Sequence, residues 1–597
     1  TEKDRQIVTV NIKNRAASNT EPAAIGGLVG LVAGKDETTG ELVRLNSFFK
    51  EGAWAINKPE LSGLTVEGAV TGVLPDVNGN KDWEFAASTY WRGVGGIFGH
   101  VQIGRGTDAV GLTNDKIQIV ACRNHAGVTG NMLTGGIVGS VRDAAGTATE
   151  WTGLGEENAS IRDCGNDGLV LCSSSPENPD NTLKGRYFGG IIGYGYSTYI
   201  YKSVSASGRA GGYSYSAGQK DTVLKGRYVG GIIGYGGNSS LAGCSTEKDG
   251  YVLGNDYVGG IAGGMEKDAA TAIQGAADAI VTTNGSNVIG NDYVGGILGE
   301  NGGAGSSETS VTNCVNNGIV AGYGKFIGGI VGYNGQRGAI LNCASNLPDH
   351  NGSLLKTIVE DWEAKGDCVG GLAGYNNGCI EFKSDNNLAE KSLSGIVAGK
   401  NYVGGLVGFN DVSAILDVHY TLISGQVYAS GDGVGGLIGL NASENILRQT
   451  IKVRPSGVRG RYYVGGIIGA NVVNLRENAT VKGLQADNRL GSITGDAFTG
   501  GVIGYQRTYT ADQLNISGSS SLWKYMESST AKRLLPGLDD KNVPKKAVAS
   551  QNLCILTIKE IPNGSSLQIN TDNNNIPISC NLYTGGIVGY CERDSRL

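Results

Sequence analysis

Short apolar runs interrupted by glycine recur along the whole chain. The commonest form is Gly-Gly-apolar-apolar-Gly. Asn and Gly turn residues bound these runs, and β-branched residues are frequent within them, which disfavours helix and predicts short β-strands. The motif occurs 14 times, and its first glycines are Gly26, Gly95, Gly135, Gly189, Gly230, Gly259, Gly295, Gly328, Gly370, Gly404, Gly435, Gly465, Gly500 and Gly585.

The spacing of the motifs defines a repeating unit. Neighbouring motifs are 29 to 85 residues apart, and the intervals near 30 give the unit to which the longer intervals add loops. Residues 295–329 contain three short β-type runs separated by Gly and Asn turns, which make one coil. Periods of this length are typical of solenoids, whose units bury their apolar faces against one another. We therefore predict an all-β fold, an elongated parallel β-solenoid of about 12 to 14 coils with loop insertions.

Like residues recur at like places in the repeat, as stacked coils require. Five of the 11 cysteines follow this rule, which favours stacked buried thiols over the alternative of a disulfide framework. Aromatic residues usually stand two positions before the glycine pair, and a second aromatic often follows the motif, succeeded by Asn in several coils. The recurring cysteines are Cys122, Cys164, Cys244, Cys314 and Cys343.

The glycine pairs have a structural interpretation. A coil corner can need φ values that side chains disfavour, and close approach of two backbones leaves no room for a Cβ. A ligand-binding glycine loop is the alternative. The residues assigned to this structural role are Gly230, Gly231, Gly259, Gly260, Gly295, Gly296, Gly328, Gly329, Gly404, Gly405, Gly465 and Gly466.

Composition narrows the class of protein. The 597 residues include 100 Gly but only 11 Pro, and 40% of the chain is apolar, which argues against collagen and against disorder. A net charge of −6 with scattered Lys and Arg gives no basic field, so we expect no nucleic-acid partner. No apolar run is long enough to predict a membrane span in this chain.

The motif Gly-Gly-Leu-Val-Gly at Gly26 and Gly404, with its Ile variants from residue 25 to 590, resembles the GLUG repeat. That repeat occurs in large bacterial surface and secreted proteins, including adhesin-like proteins and immunoglobulin A-specific metallopeptidases. The resemblance implies an extracellular location at the bacterial cell surface and a β-solenoid-like array. It implies little about activity, because the repeat is a scaffold.

We expect four regions along the chain. Residues 1–24 form an N-terminal strand or lead-in, residues 25–504 form the repeat solenoid, and residues 585–597 form a last repeat without a cap. Residues 505–584 form an insertion with a short helix and a β-hairpin around the Asn-Gly at 563–564. The uncapped end predicts either a longer parent protein or a partner that covers it.

Motifs that would indicate catalysis are missing. Only four His are present and none forms His-Glu-x-x-His, so the zinc site of the metallopeptidases is not expected. Neither Gly-x-Ser-x-Gly nor a phosphate-binding loop occurs. Asp256 and Asp292 recur in Asn-Asp-Tyr, where a solvated turn is favoured over an ion site. We predict no catalytic residue, no metal site and no cofactor; a carbohydrate-active β-helix enzyme, or the accessory region of a secreted protease, is the alternative.

Tyrosine offers the remaining functional signal, with 26 residues against 9 Phe and 6 Trp. Tyrosine ladders could present an adhesive surface or stack on sugars, or they could simply pack on one another at coil corners. We predict a rigid adhesive or structural stalk whose partners are host glycans or proteins, other surface proteins, or further segments of the same polypeptide. The candidate binding residues are Tyr194, Tyr235, Tyr333, Tyr375, Trp523 and Tyr525.

Overall fold

The computed structural model is all-β, and its described residues contain no helix. The chain divides into two compact units, Thr1–Ala321 (unit 1) and Gly322–Leu597 (unit 2). The structure describes residues 7–15, 23–33, 60–74, 92–103, 118–143, 159–173, 185–196, 198–205, 210–214, 223–248, 250–266, 272–274, 281–302, 309–346, 366–382, 392–393, 395–418, 422–443, 452–473, 492–507, 552–556, 576–585 and 588–591.

The strand that ends in the first glycine of each motif forms the pre-glycine ladder. Successive strands pair in parallel and in register, so that Val229, Val258 and Val294 are direct neighbours. In unit 1 these strands are Ala23–Gly26, Arg92–Gly95, Thr134–Gly135, Arg186–Gly189, Arg227–Gly230, Asp256–Gly259 and Asp292–Gly295. In unit 2 they are Lys325–Gly328, Asp367–Gly370, Val403–Gly404, Val434–Gly435, Tyr462–Gly465, Ser492–Gly500 and Ile576–Gly585.

The strand after each glycine pair forms the post-glycine ladder, which is also parallel. In unit 1 its members are Val29–Ala33, Phe98–Ile103, Val138–Asp143, Ile192–Tyr196, Ile233–Gly237, Ala262–Glu266 and Leu298–Asn301. In unit 2 they are Val331–Asn334, Ala373–Asn376, Val407–Asn410, Ile438–Asn441, Ile468–Asn471, Ile503–Gln506 and Val588–Cys591.

Each coil of unit 1 has a strand in a third ladder, and the first coils of unit 2 have a corresponding ladder. Its inward side chains are the aliphatic residues Ile119, Ile161, Ile200, Leu241 and Ile273, all buried. The strands are Glu60–Ser62, Gln118–Val120, Ile161–Arg162, Tyr199–Tyr201, Ser240–Ala242, Ala272–Gln274 and Thr309–Thr312 in unit 1, and Gly338–Leu341, Cys379–Phe382 and Ile415–Val418 in unit 2.

A fourth ladder closes each coil of unit 1. Its strands are mostly split into two short pieces: Ile7–Arg15, Thr65–Val73, Arg123–Asn124 with Gly127–Gly130, Gly165–Asn166 with Val170–Cys172, Val204–Ser205 with Ala210–Ser214, Ser245–Thr246 with Tyr251–Leu253, Thr282–Asn284 with Asn287–Gly290, and Cys314–Asn316 with Val320–Gly322. The corresponding strand in unit 2 is Ala344–Ser345. Together these ladders confirm the predicted parallel β-solenoid.

The later coils of unit 2 close differently. There, strands Ser392–Leu393, Ile396–Gly399, Leu422–Ala429 and Lys452–Arg459 join the pre-glycine sheet. The pairing of Leu422–Ala429 with Lys452–Arg459 shifts register after Gly425. In these coils of unit 2, the additional strands therefore extend the pre-glycine sheet. In the coils of unit 1, the corresponding strands form a separate fourth ladder.

The N-terminal lead-in contains a strand, as expected. Ile7–Arg15 lies parallel to Thr65–Val73 through nine in-register pairs. Two described pairs are antiparallel, Ala210–Ser214 with Val223–Lys225 and Asn552–Leu556 with Ile576–Gly585.

The turn of the predicted hairpin, at Asn563 and Gly564, lies outside the described residues. Asn552–Leu556, which precedes it, pairs antiparallel with the start of Ile576–Gly585, a repeat strand. The repeat also resumes before residue 585, because Ile578 already pairs with Ile493 of the preceding coil. The predicted short helix lies outside the described residues.

A buried ladder of side-chain amides runs through unit 2. Each Nδ2 donates to the side-chain oxygen of the next coil, at 2.8 Å from Asn334 to Asn376, 2.9 Å from Asn376 to Asn410 and 3.0 Å from Asn410 to Asn441. Asn441 and Asn471 continue it to Gln506 at 2.8 and 2.7 Å. Because nearly all of these amides are shut off from water, this chain of bonds satisfies groups that would otherwise be costly to bury.

Candidate functional site

The glycine pairs are filled by protein backbone. A Cβ built on Gly230 would lie 2.0 Å from the carbonyl oxygen of Ile233 in its own coil, and one on Gly231 would lie 2.2 Å from that of Gly260 in the next coil. Gly259, Gly260 and Gly328 show the same crowding. Since no room is left beside these glycines, the pairs serve the approach of successive coils, and a cradle for a ligand is not formed there.

The conformational part of the glycine prediction is wrong. Among the described residues, none of the glycines with φ in the left-handed region belongs to a motif pair. The left-handed residue is instead the aromatic two positions before the pair, with φ of 68° at Tyr187, 56° at Tyr228 and 63° at Phe326. The other aromatic members are Tyr257, Tyr293, Tyr402, Tyr463 and Phe498.

Bulky side chains rarely adopt this conformation, and each instance costs of order 1 kcal/mol. The aromatic rings offset the cost by stacking from coil to coil. The ring centroids of Tyr228 and Tyr257 are 4.4 Å apart, and those of Tyr257 and Tyr293 are 4.5 Å apart, with nearly parallel planes. The ring faces are thus occupied by neighbouring rings, which leaves mainly their edges for solvent.

The candidate binding tyrosines of unit 1 belong to a second aromatic ladder. Tyr194 and Tyr235 are stacked with centroids 5.9 Å apart, and Tyr187 contacts both rings. Tyr194 is buried, whereas Tyr235 is partly exposed. The prediction of a binding surface is therefore wrong for Tyr194, and it remains a prediction for Tyr235.

Unit 2 repeats this arrangement. The rings of Tyr333 and Tyr375 are parallel with centroids 4.6 Å apart, and Phe409 continues the stack. Tyr375 is fully buried, and its hydroxyl donates to a carboxylate oxygen of the buried Asp411. Tyr375 is therefore a core residue and not a binding residue, while Tyr333 is partly exposed and stays a candidate. Trp523 and Tyr525 lie outside the described residues.

Charged residues form an outer ladder beside the stacked tyrosines of unit 1. Asp256 lies between Arg227, whose Nε is 3.5 Å from its Oδ2, and Asp292, its in-register neighbour. Burial raises the pKa of Asp256, the Arg227 guanidinium opposes that rise, and the Asp292 carboxylate adds to it. Burial, together with the nearby Glu300 carboxylate, also raises the pKa of Tyr257 to about 12.

This ladder corrects the expectation of a solvated turn, because Asp256 and Asp292 begin strands and are partly buried. It does not form an ion site of the usual kind either. Within the described ranges, no group of three or more His, Cys, Asp or Glu side chains is arranged to hold a metal ion.

The enzymatic alternative would need two cooperating carboxylates. Glu381 and Asp417 are in-register neighbours on the third ladder of unit 2. Such a pair arises wherever two acidic residues occupy the same place in successive coils, so adjacency by itself does not indicate catalysis.

One serine and one histidine also meet in unit 1. His100 Nδ1 lies 2.6 Å from Ser140 Oγ, and both side chains are buried. Ser140 donates its hydroxyl hydrogen to the carbonyl oxygen of Arg92. Because that proton is directed at a backbone carbonyl, the contact supports packing between coils better than nucleophilic attack.

Comparison with known proteins gives no relative. No family model matches the chain, and neither a curated protein nor a solved structure matches it. In the part of the chain that the structure describes, there is also no helix of the length and apolarity needed to cross a membrane.

The eight cysteines that the structure describes are thiols that form no disulfide, and all of them except the partly exposed Cys379 are buried. The expectation of buried thiols is confirmed for the recurring cysteines, Cys122, Cys164, Cys244, Cys314 and Cys343.

Proposed function

We propose that this chain is a non-catalytic, extracellular protein of the bacterial cell surface that acts as a rigid adhesive or structural stalk. It binds host or matrix glycans and proteins, or other components of the cell surface. The resemblance of the glycine motifs to the GLUG repeat supports this location and this class.

The observation that carries the proposal is the use of repeated residues for coil-to-coil contacts. Glycine pairs accept the next backbone, tyrosine rings cover one another, and the amides of unit 2 bond along the stack. Repeated residues that contact each other give a stiff scaffold and leave little chemistry for a substrate.

Specificity is then expected where the sequence does not repeat. Insertions in solenoids often form the binding face. Residues 505–584 are the longest departure from the repeat, and they contain Trp523 and Tyr525. We place the principal binding role there, with the exposed edges of Tyr235 and Tyr333 as a secondary surface.

A binding and cleavage screen tests the proposal. The full chain is applied to arrays of host glycans, plant glycans and matrix proteins, and both retention and product formation are measured. We expect retention without cleavage. New reducing ends, new unsaturated ends or cut matrix proteins would overturn the non-catalytic assignment, and no retention by a folded chain would overturn the adhesive one.

Paired variants locate the binding residues. The double variant Trp523→Ala, Tyr525→Ala should lose most of the retention, with an unchanged circular dichroism spectrum. The matched control is Tyr235→Phe with Tyr333→Phe, which removes two edge hydroxyls but keeps the stacked rings. If the control loses binding and the insertion variant does not, the ladders and not the insertion form the binding surface.

Antibody labelling of intact cells of the source organism tests the location separately. Labelling without permeabilisation is expected. Labelling that requires permeabilisation would contradict an extracellular position.

A further inference from the structure

From the coil of Cys122 onward, one position of the coil in unit 1 carries small polar or thiol side chains; the coil before it has Leu64 there. The position directly follows a corner residue with left-handed φ, which is 52° at Ala121 and 53° at Asp163. Strand register aligns this position through successive coils, because the residues on both sides of it are paired. The aligned residues are Cys122, Cys164, Ser203, Cys244, Thr282 and Cys314.

Cys122 and Cys164 are consecutive in this series, whereas Cys244 stands between Ser203 and Thr282. In-register neighbours on parallel strands are about 4.8 Å apart, which lies within the range of Cα separations that a disulfide bridges. The Cys164 sulfur already reaches the coil of Cys122, because it lies 3.7 Å from the carbonyl oxygen of Ile119. Both cysteines are buried, and their sulfurs also approach backbone carbonyls, Cys122 that of Val120 at 3.6 Å and Cys164 that of Arg162 at 3.4 Å.

We propose that Cys122 and Cys164 form a disulfide bond between two consecutive coils when the chain folds in the presence of a small-molecule disulfide. The oxidant is of the oxidised glutathione class. The Cys122 thiolate attacks one sulfur of the oxidant, which gives a mixed disulfide and releases one small thiolate. The Cys164 thiol then loses its proton, its sulfur attacks Cys122 Sγ, and the second small thiolate leaves. Two protein thiols are oxidised and one small disulfide is reduced to two thiols, so atoms and electrons balance.

The surroundings of the two sulfurs assign this order of attack. The hydrogen bond from the Cys164 thiol lowers the pKa of Cys122, in spite of burial, and the neighbouring Arg123 acts in the same direction. Burial raises the pKa of Cys164 well above its usual range. Because the thiolate is the nucleophile, Cys122 reacts first and Cys164 resolves the intermediate.

The bond would close the segment from Cys122 to Cys164, which contains the strands Val138–Asp143 and Ile161–Arg162. Closing a segment of this length restricts the unfolded chain and stabilises the folded one. The inference is independent of the proposed location and ligand.

Oxidative refolding tests the proposal. The full chain is unfolded, reduced, and refolded in a buffer of oxidised and reduced glutathione, then alkylated and mapped by mass spectrometry without reduction. We expect a cross-linked peptide pair containing Cys122 and Cys164, and an unfolding temperature about 5 °C above that of the chain refolded with reductant. Recovery of both cysteines in alkylated form from correctly folded protein would overturn the proposal.

Two serine variants complete the test. Cys164→Ser should abolish the cross-link and the temperature difference, and it is compatible with folding because Ser203 occupies the same position two strands away from Cys122. Cys244→Ser is the matched control, and it should leave both unchanged, since its ladder neighbours Ser203 and Thr282 have no thiol. A cross-link that persists in Cys164→Ser, or that is lost in Cys244→Ser, would also contradict the pairing.

Discussion

The two units bury side-chain amides at different places in the same repeat. Unit 1 carries them on its fourth ladder, where Asn124 donates to Asn166 at 2.7 Å and Asn284 donates to Asn316 at 2.7 Å. Unit 2 carries them at the end of its post-glycine strands. At that end of the strand, most coils of unit 1 have Val, Gly or Met, such as Val101, Val141, Gly195, Gly236 and Met265.

The difference shows what decides where an amide ladder forms. In both units the asparagine also bonds to the backbone two residues later, as Asn124 does with Ala126 and Asn441 does with Ser443. The amide therefore occupies the place where the chain turns out of a strand and leaves backbone groups to be satisfied. Unit 1 has such turns within its fourth ladder, and unit 2 has them directly after the post-glycine strand.

The largest expected loss of stability concerns the glycine pairs, which both units share. Gly231→Ala in unit 1 and Gly466→Ala in unit 2 each place a Cβ 2.2 Å from a carbonyl oxygen of the next coil. Since backbone cannot move aside cheaply, we expect each change to cost more than about 4 kcal/mol of unfolding free energy, or to prevent folding. Urea unfolding or soluble yield measures this.

Gly127→Ala is the control for the glycine substitutions. Nothing lies within 4 Å of its added Cβ. We expect a neutral or slightly stabilising effect of about 0.5 kcal/mol. Equal damage at Gly127 and Gly231 would mean that glycine is needed for a reason other than close approach.

A middle-sized effect separates an interior member of the unit 2 amide ladder from its last described member. Asn410→Leu removes the acceptor of Asn376 and the donor to Asn441, both buried, so we expect a loss of about 3 kcal/mol. Gln506→Leu should cost about half as much, because it leaves one amide hydrogen of Asn471 without its acceptor, while the Val473 carbonyl that Gln506 also bonds keeps its bond from Asn471. Urea midpoints of the two variants give the comparison. A loss at position 410 no larger than that at 506 would contradict a ladder whose interior members satisfy two neighbours.

The smallest effect compares the outer charges. Asp432 in unit 2 forms a two-pronged ion pair with Arg461, with Nε 3.1 Å from Oδ1, whereas Asp256 in unit 1 is more buried and has Asp292 beside it. We expect Asp432→Asn to lower stability at pH 7 by less than about 1 kcal/mol, and Asp256→Asn to leave it equal or slightly higher.

The raised pKa of Asp256 predicts how the stability difference between the unchanged chain and Asp256→Asn varies with pH. Its pKa is raised in the folded state above the ordinary 3.8, so the folded chain binds the proton more tightly than the unfolded chain. This contribution to stability is fully present below pH 3.8 and is lost as pH rises through the folded pKa. Any advantage of Asp256→Asn at pH 7 should therefore shrink towards pH 4 in urea unfolding. An advantage that grows on acidification would contradict the raised pKa.

Much of the architecture could be predicted because aligning the repeated motifs also gives the register in which their strands pair. Aligned motifs place Val258 beside Val294 and Tyr257 beside Tyr293, and the structure pairs and stacks them. The recurring Asn after the second aromatic was also a visible signal of the amide ladder in unit 2. The pairing of Asn552–Leu556 with Ile576–Gly585 was not predicted, since the Asn-Gly turn gave a stronger local signal than the distant repeat strand.

The sequence by itself determined that coils stack in parallel, because residues that recur at a fixed period pack best on their own counterparts. Only the tertiary structure showed why two adjacent glycines are needed, which residue adopts a left-handed φ and which tyrosines are exposed to solvent. Those properties depend on atoms of the adjacent coil: Gly231 meets the Gly260 carbonyl, and Tyr375 is buried against Asp411. A local pattern can specify a strand or a turn, but exposure and close approach are set by the neighbour that the fold brings alongside.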